Sequence, residues 1–328
     1  MGRHVSYADV RVLVTGGAGF IGSHLVDTLM KKGGKVAVLD NLSAGSKHNI
    51  DSWIRHPNFT FIKGDCLNRQ KIRNALKNCE LIFHLAANSE VRVGVTNTKI
   101  DFEQNIVATY NVLEEMRESK TAKTILFTST STVYGEAKSL PTPEDYGPLE
   151  PISLYGASKL ACEALVSAYC HTFEMRGAVY RFANIVGSRS RHGVIWDFIH
   201  KLEKNPNRLE ILGDGTQTKS YLTVDDCVDA LLFGLEHTHE KVEIYNIGSE
   251  DQINVTDIAE IVTEEMDHKN VEFRYTGGVN GGRGWIGDVK KMFLDVSKMK
   301  KLGWKPKHNS AESVKIATKQ ILEELEFE

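Results

Sequence analysis

Along the first half of the chain, short apolar runs alternate with amphipathic stretches of helical length. RVLVTG, KVAVLD, FTFIKGD, LIFHLAA and TILFTS are each rich in Val, Ile, Leu and Phe. Apolar residues at successive positions, not only at every second one, suit strands covered on both faces. Between them, IGSHLVDTLMKKG and QNIVATYNVLEEMRESK carry helical patterns. The alternation predicts an α/β fold, a Rossmann-type doubly wound parallel sheet. Gly33 and Gly34 follow the first helix, where a C-cap is expected.

Beyond about residue 180 the rhythm loosens. GSRSRHGVIWDFIHKLEKNPNRLEILGDGTQ mixes loop, helix and short-strand patterns. EIYNIGS returns to a sheet strand, VTDIAEIVTEEM to a helix behind it, and TGGVNGGRGW predicts a mobile, glycine-rich loop. The expected division is a nucleotide-binding domain over 1–180, completed by about 222–268. A smaller C-terminal α/β substrate domain takes about 181–221 and 269–328.

Composition narrows the class. The 328 residues are 41% hydrophobic and 25% charged, with a net charge of −3, which fits a folded soluble protein and argues against nucleic-acid binding. No apolar run is long enough to span a bilayer, and the N-terminus carries no apolar signal core. MGRHVS matches the loose myristoylation pattern and is read as a chance match. The cysteines, Cys66, Cys79, Cys162, Cys170 and Cys227, are odd in number and lack C-x-x-C spacing. Free thiols in a reducing cytoplasm are expected, without a disulfide framework or a metal site.

TGGAGFIG follows the first strand and opens the first helix. Gly17, Gly19 and Gly22 fit the dinucleotide fingerprint, and Gly16 adds an earlier glycine. Absent β-carbons let backbone approach a pyrophosphate, and the helix N-terminus offers N–H groups and partial positive charge. Asp40 ends the second strand, where an acid suits the ribose hydroxyls of NAD and repels a 2′-phosphate. The expected cofactor is therefore NAD. Asp65, after the third strand, either contacts the adenine or caps a helix. HLAAN places Ala86 and Ala87 where a flat cofactor could pass.

Tyr155 and Lys159 in YGASK share one helix face, one turn apart. Alone the pair could be a surface feature. Free tyrosine has a pKa of about 10, so a tyrosine base needs positive charge beside its phenolate. Lys159 and an oxidised nicotinamide can supply it. A hydroxyl from LFTSTSTVYGE would align the same substrate oxygen.

TGGAGFIG, Asp40, HLAA, TSTSTVYG, YGASK and YRFAN together resemble the extended short-chain dehydrogenase/reductase family, and within it the nucleotide-sugar epimerases; VLDNLSAG is close to their wording. The resemblance spans nearly the whole chain. It implies Tyr155 as base, Lys159 as its electrostatic partner and Thr130 as the hydroxyl on the reacting oxygen. It further implies NAD contacts from Gly16, Gly19, Phe20, Ile21, Gly22, Asp40, Asn41, Ser43, Gly45, Asp65 and Cys66. Leu85, Ala86, Ala87, Asn105, Ser129, Tyr155, Lys159 and Phe182 complete that set. Substrate contacts are implied for Thr130, Tyr155, Asn184, Val194 with Ile195, Lys219 and Arg283. Lys219 stands where relatives carry a diphosphate-binding arginine, and a lysine loses the bidentate fork. Met292 aligns with a position that limits sugar size, and Arg92 could face an acidic sugar.

The implied reaction oxidises C4 of a UDP-glucose or UDP-galactose type sugar with NAD, turns the 4-keto sugar and returns the hydride to its other face. Related dehydratases read T-D-E-V-Y-G and decarboxylases T-S-E-V-Y-G at this segment, whereas this chain reads Thr130-Ser131-Thr132-Val133-Tyr134-Gly135. A hydroxyl replaces the Glu both relatives share, which favours epimerisation. A dehydratase or decarboxylase is the alternative. A non-catalytic NAD-binding protein is disfavoured by the Tyr/Lys pair, and an NADP-linked reductase by Asp40. The family implies a homodimer through the helices of QNIVATYNVLEEM and YGASKLACEAL.

Overall fold

The structure, a computed structural model, describes residues 7–326. The MGRHVS match lies outside them. Strands β1 (Arg11–Thr15), β2 (Lys35–Asp40), β3 (Phe59–Lys63), β4 (Leu81–His84), β5 (Thr124–Thr130) and β6 (Arg176–Phe182) join the strand Val242–Ile247 in one seven-stranded parallel sheet. Across the sheet the order is Val242–Ile247, β6, β5, β4, β1, β2, β3. β1 pairs in parallel with β2 (Thr15 opposite Leu39) and with β4 (Thr15 opposite His84). The chain order reverses between β1 and β4, which makes their C-terminal ends the switch point where open α/β sheets bind ligands.

The strands bury side chains on both faces, as their patterns predict. Leu13, Val14, Val38, Ile82, Phe83 and Ile125 are fully buried. Helix α1 (Phe20–Lys31) covers the sheet with Leu25, Val26 and Leu29. It ends as expected: Gly33 has φ +80°, and Gly33 and Gly34 donate back to Met30 and Leu29. Helix α2 (Arg69–Ala75) is capped by the Asn68 side chain. The capping reading of Asp65 is thereby corrected.

Between β4 and β5 run α3 (Val93–Thr96), α4 (Thr98–Asp101), a π-helical stretch (Phe102–Val107) and α5 (Ala108–Glu118). The sequence predicts one regular helix here, and the π stretch at Asn105 breaks its period. Such bulges frequently mark functional sites. Helix α6 (Leu154–Thr172) carries YGASK.

The chain forms two compact units. One comprises the residues up to Thr130, Leu154–Arg181 and Val228–Tyr245; the other comprises Ser131–Ser153, Phe182–Cys227 and Asn246–Glu328. The boundaries differ from those expected, because 131–153 and 246–268 join the second unit. Long-range pairings hold them there. Thr142 pairs with Leu294, and the Tyr134 hydroxyl donates to Asn246 at 2.7 Å. Helix Val255–Glu265 buries Ile258 and Val262 in an apolar cluster with Val314, Ala317 and Ile321 of helix Ser310–Glu326. Within TGGVNGGRGW, Val279 and Arg283 exchange two backbone bonds of 2.9 Å. The expected loop is thus closed into a tight turn.

All five cysteines are free and buried. Among the described residues no helix is long and apolar enough to cross a membrane, and no cluster of three or more His, Cys, Asp or Glu side chains is placed to hold a metal ion.

Candidate active site

The turn after β1 is built by close backbone approach. Gly16 has φ +71°, and a β-carbon there would stand 2.7 Å from the Ala86 nitrogen. A β-carbon on Gly22 would stand 2.1 Å from the Gly16 carbonyl oxygen. Helix α1 therefore starts directly against the turn. Phe20, Ile21 and Gly22 open the helix, so their N–H groups lack intrahelical acceptors. Gly45 packs on the same turn, since a β-carbon there would meet Ala18 backbone at 2.7 Å.

Asp40 is buried at the end of β2. Its two carboxylate oxygens accept from the Ala18 and Leu42 N–H groups at 2.9 and 2.8 Å. Each oxygen keeps lone-pair capacity for a ribose hydroxyl. Asp65 accepts from the Asn41 amide at 2.8 Å and from Gln104 at 3.3 Å, which ties the loops after β2 and β3 together. Ser43 is exposed, with its N–H on Asn41. Leu85, Ala86 and Ala87 follow β4 at the same sheet edge, half-buried. This glycine cradle, free helix start and strand-end acid fit NAD.

We expect Gly22→Ala to abolish cofactor retention, because a β-carbon 2.1 Å from the Gly16 carbonyl oxygen forces the turn or the helix to move. Overpacking of this kind also costs about 1–3 kcal/mol of stability. NAD content of the purified protein and its melting temperature check this; wild-type NAD content would contradict it.

Tyr155 opens α6, half-buried, and Lys159 lies one turn on, buried. The Lys159 ammonium donates to the Thr128 carbonyl at 2.8 Å and sits 5.9 Å from the Tyr155 ring centre. Burial pushes Lys159 down to about 8, partly offset by Cys162, Glu163 and Asp101. Burial, with smaller contributions from the Asp101 and Cys162 charges, pushes the Tyr155 phenol well above its ordinary value. The protein alone therefore holds Tyr155 protonated, and only added positive charge can make it a base. Thr130 ends β5, buried. Ser131 and Thr132 lie past the strand, in a 3-10 turn over Ser131–Tyr134.

Several expected cofactor contacts already have partners within the protein. The Ser129 hydroxyl donates to Glu163, whose carboxylate also takes the Arg181 guanidinium at 2.7 and 3.0 Å, all three residues being buried. Asn105 is buried and spends its amide on Asn88, Asp101 and Ser158. Cys66 is buried with its thiol pushed up by desolvation, which makes it inert. His84 is held neutral, its pKa pushed down to about 3 by burial between Thr15 and Thr109. Glu163, Arg181 and Asp101 were not singled out from the sequence. Buried charges on helix and strand faces carry no local motif.

In the second unit, Lys219 donates to Asp288 at 2.6 Å and lies 5.3 Å from the Trp285 ring centre. Arg283 donates to one Glu136 oxygen at 3.1 and 2.8 Å. Asn184 starts a short strand with its amide on the Ser220 carbonyl, and Val194 opens a helix in which Ile195 is buried. Phe182 and Met292 are buried. In the first unit, Arg92 is paired with Glu90 at 2.8 and 3.0 Å.

Residues 12–248 match the model of the NAD dependent epimerase/dehydratase family. A crystal structure of a UDP-galactose 4-epimerase is 42% identical, with a TM-score of 0.85 over 96% of this chain and 100% of that one. The UDP-glucuronic acid 4-epimerase of Bacillus cereus, solved with UDP-glucuronic acid and NAD, is 30% identical, with a TM-score of 0.86 over 96% and 99%. UDP-glucuronic acid decarboxylase 2 of Arabidopsis thaliana is 33% identical over 95% of this chain and 68% of its own length.

Proposed function

Because the chain belongs to the NAD-dependent epimerase/dehydratase family, we propose that it inverts C4 of a UDP-sugar of the glucose/galactose type. The observation that carries this reading is position 132. The Glu of the dehydratase and decarboxylase pattern is a threonine here, in the turn directly after Thr130. Elimination, which removes the C5 proton, and decarboxylation, which ends by delivering a proton to C5, therefore lack their usual carboxyl group. The Arg92–Glu90 pair cancels the charge that an acidic sugar would seek.

Bound NAD supplies a reversible hydride acceptor held by the glycine turn, the α1 N–H groups and Asp40. Tyr155 takes the proton of the C4 hydroxyl and returns it after the keto sugar has turned. Lys159 stabilises the phenolate, and the Thr130 hydroxyl donates to the same oxygen. Hydride and proton both return, so no second substrate is consumed. Assembly as a homodimer through α5 and α6 belongs to the same reading, as these helices expose Tyr110 and Leu154. So does residence in a reducing cytoplasm, where five free thiols persist.

Among the phosphate-binding candidates, Arg283 leads. Glu136 is partly exposed and can turn to water, whereas Asp288 is buried and would be left uncompensated. Arg283→Ala is expected to raise KM about tenfold or more, the loss of one charge-assisted contact. Lys219→Ala should change KM less and lower the melting temperature. The reverse ranking in steady-state kinetics would reassign the diphosphate to Lys219.

Incubating the purified protein with UDP-glucose, UDP-N-acetylglucosamine and UDP-glucuronate, without added cofactor, and following the sugars by NMR tests the reading. C4 inversion of the neutral sugar supports it; turnover of UDP-glucuronate alone overturns it.

A further inference from the structure

Asp101, at the end of α4, is the buried carboxylate the proposed reaction leaves without a task. It is 1% exposed. One oxygen accepts from the Asn88 amide at 2.8 Å and the Asn105 amide at 3.3 Å. The other oxygen is buried with no hydrogen-bond partner. It lies under Gly94, where a β-carbon would stand 2.6 Å away and 3.5 Å from the Leu154 β-carbon, the residue before Tyr155. A half-satisfied buried carboxylate costs stability, so its presence calls for a reason.

The hydrogen bonds supply one. Asn105, on the π-helical stretch, donates to Ser158 at 2.8 Å, and Ser158 donates to the Tyr155 carbonyl at 2.7 Å. Asn88 N–H closes the set on the Asn105 oxygen at 2.8 Å. We propose that Asp101 is a positioning residue of the Tyr155/Lys159 pair: it anchors the first turn of α6 through Asn105 and Ser158, and when ionised it sets a negative charge beside both groups. The inference rests on the acid–base reading of that pair.

The charge acts in one direction on both groups. It opposes the phenolate of Tyr155 and favours the ammonium of Lys159. The other groups facing the pair are accounted for. Cys162 is buried with its thiol pushed up, and Glu163 is neutralised by Arg181. His84 carries no charge near neutral pH. On Asp101's own side, Lys99 pairs with Glu103 and Arg92 with Glu90. Asp101 is thus the carboxylate beside the pair not offset by a cation of its own, and it favours the Lys159 ammonium, offsetting part of the cost of burial.

Asp101→Asn keeps an oxygen for Asn88 and Asn105 and removes only the charge. The low-pH limb of kcat/KM, set by Tyr155 losing its proton, and the high-pH limb, set by Lys159 losing its own, should both move to lower pH by about one unit. Ser158→Ala breaks the anchor and keeps the charge, so it should lower kcat without moving either limb. Titration of 13Cζ-labelled tyrosine, with the Tyr155 signal assigned by Tyr155→Phe, reads the same shift without turnover. In the wild type that nucleus should show a smaller inflection as Asp101 protonates, a readout that needs no variant. A shifted titration without UDP-sugar turnover would uphold Asp101 and refute the epimerase reading. Unmoved limbs in a folded Asp101→Asn, or no wild-type inflection at acid pH, overturns the proposal and leaves Asp101 a structural residue.

Discussion

Tyr155→Phe is expected to lower kcat by about a hundredfold to ten-thousandfold, with a much smaller change in KM. The ring remains to pack at the start of α6, so the fold and the cofactor cradle persist. Only the exchangeable proton is lost. The size follows from what the site must overcome, since the surroundings hold the phenol above its ordinary value and the reaction needs it to ionise. Steady-state kinetics with a melting curve on the same preparation checks this. A variant that keeps more than about one-tenth of wild-type kcat would move the acid–base role to another group.

Arg181→Met should lower stability by about 3–5 kcal/mol, because it strands the Glu163 carboxylate in the core with only the Ser129 hydroxyl for company. At roughly 2–4 °C per kcal/mol for a domain of this size, the melting temperature falls by about 10 °C. The double replacement Arg181→Met with Glu163→Met removes both charges and should recover most of the loss. Equal melting temperatures for the single variant and wild type would show that the pair is not buried as drawn.

Much of this site was legible because its chemistry is local. A strand followed at once by TGGAGFIG leaves few conformations for the backbone. Tyr155 and Lys159 fall on one face because four residues make about one helical turn. Asp40 is read from its place at a strand end. What the sequence hid is non-local. Asn105 and Ser129 look like cofactor contacts in a linear reading, but residues far along the chain claim their side chains: Ser158 for one and Glu163 for the other. The partners of Lys219 and Arg283, Asp288 and Glu136, lie 69 and 147 positions away. The π-helical stretch at Asn105 has no residue signature, since one extra residue per turn follows from packing, not from propensity. The unit boundaries were misplaced for the same reason. The segment 131–153 has no element pattern of its own and takes its place from Thr142 and Tyr134, which pair with Leu294 and Asn246 late in the chain.

The central claim is that the chemistry is confined to C4. Running the reaction on UDP-glucose in deuterium oxide tests it most directly. UDP-galactose should appear with no deuterium in the sugar ring, because the C4 hydrogen is held and returned and the proton at C5 is never released. Deuterium at C5 or C6, or the loss of water from the sugar, would contradict the account.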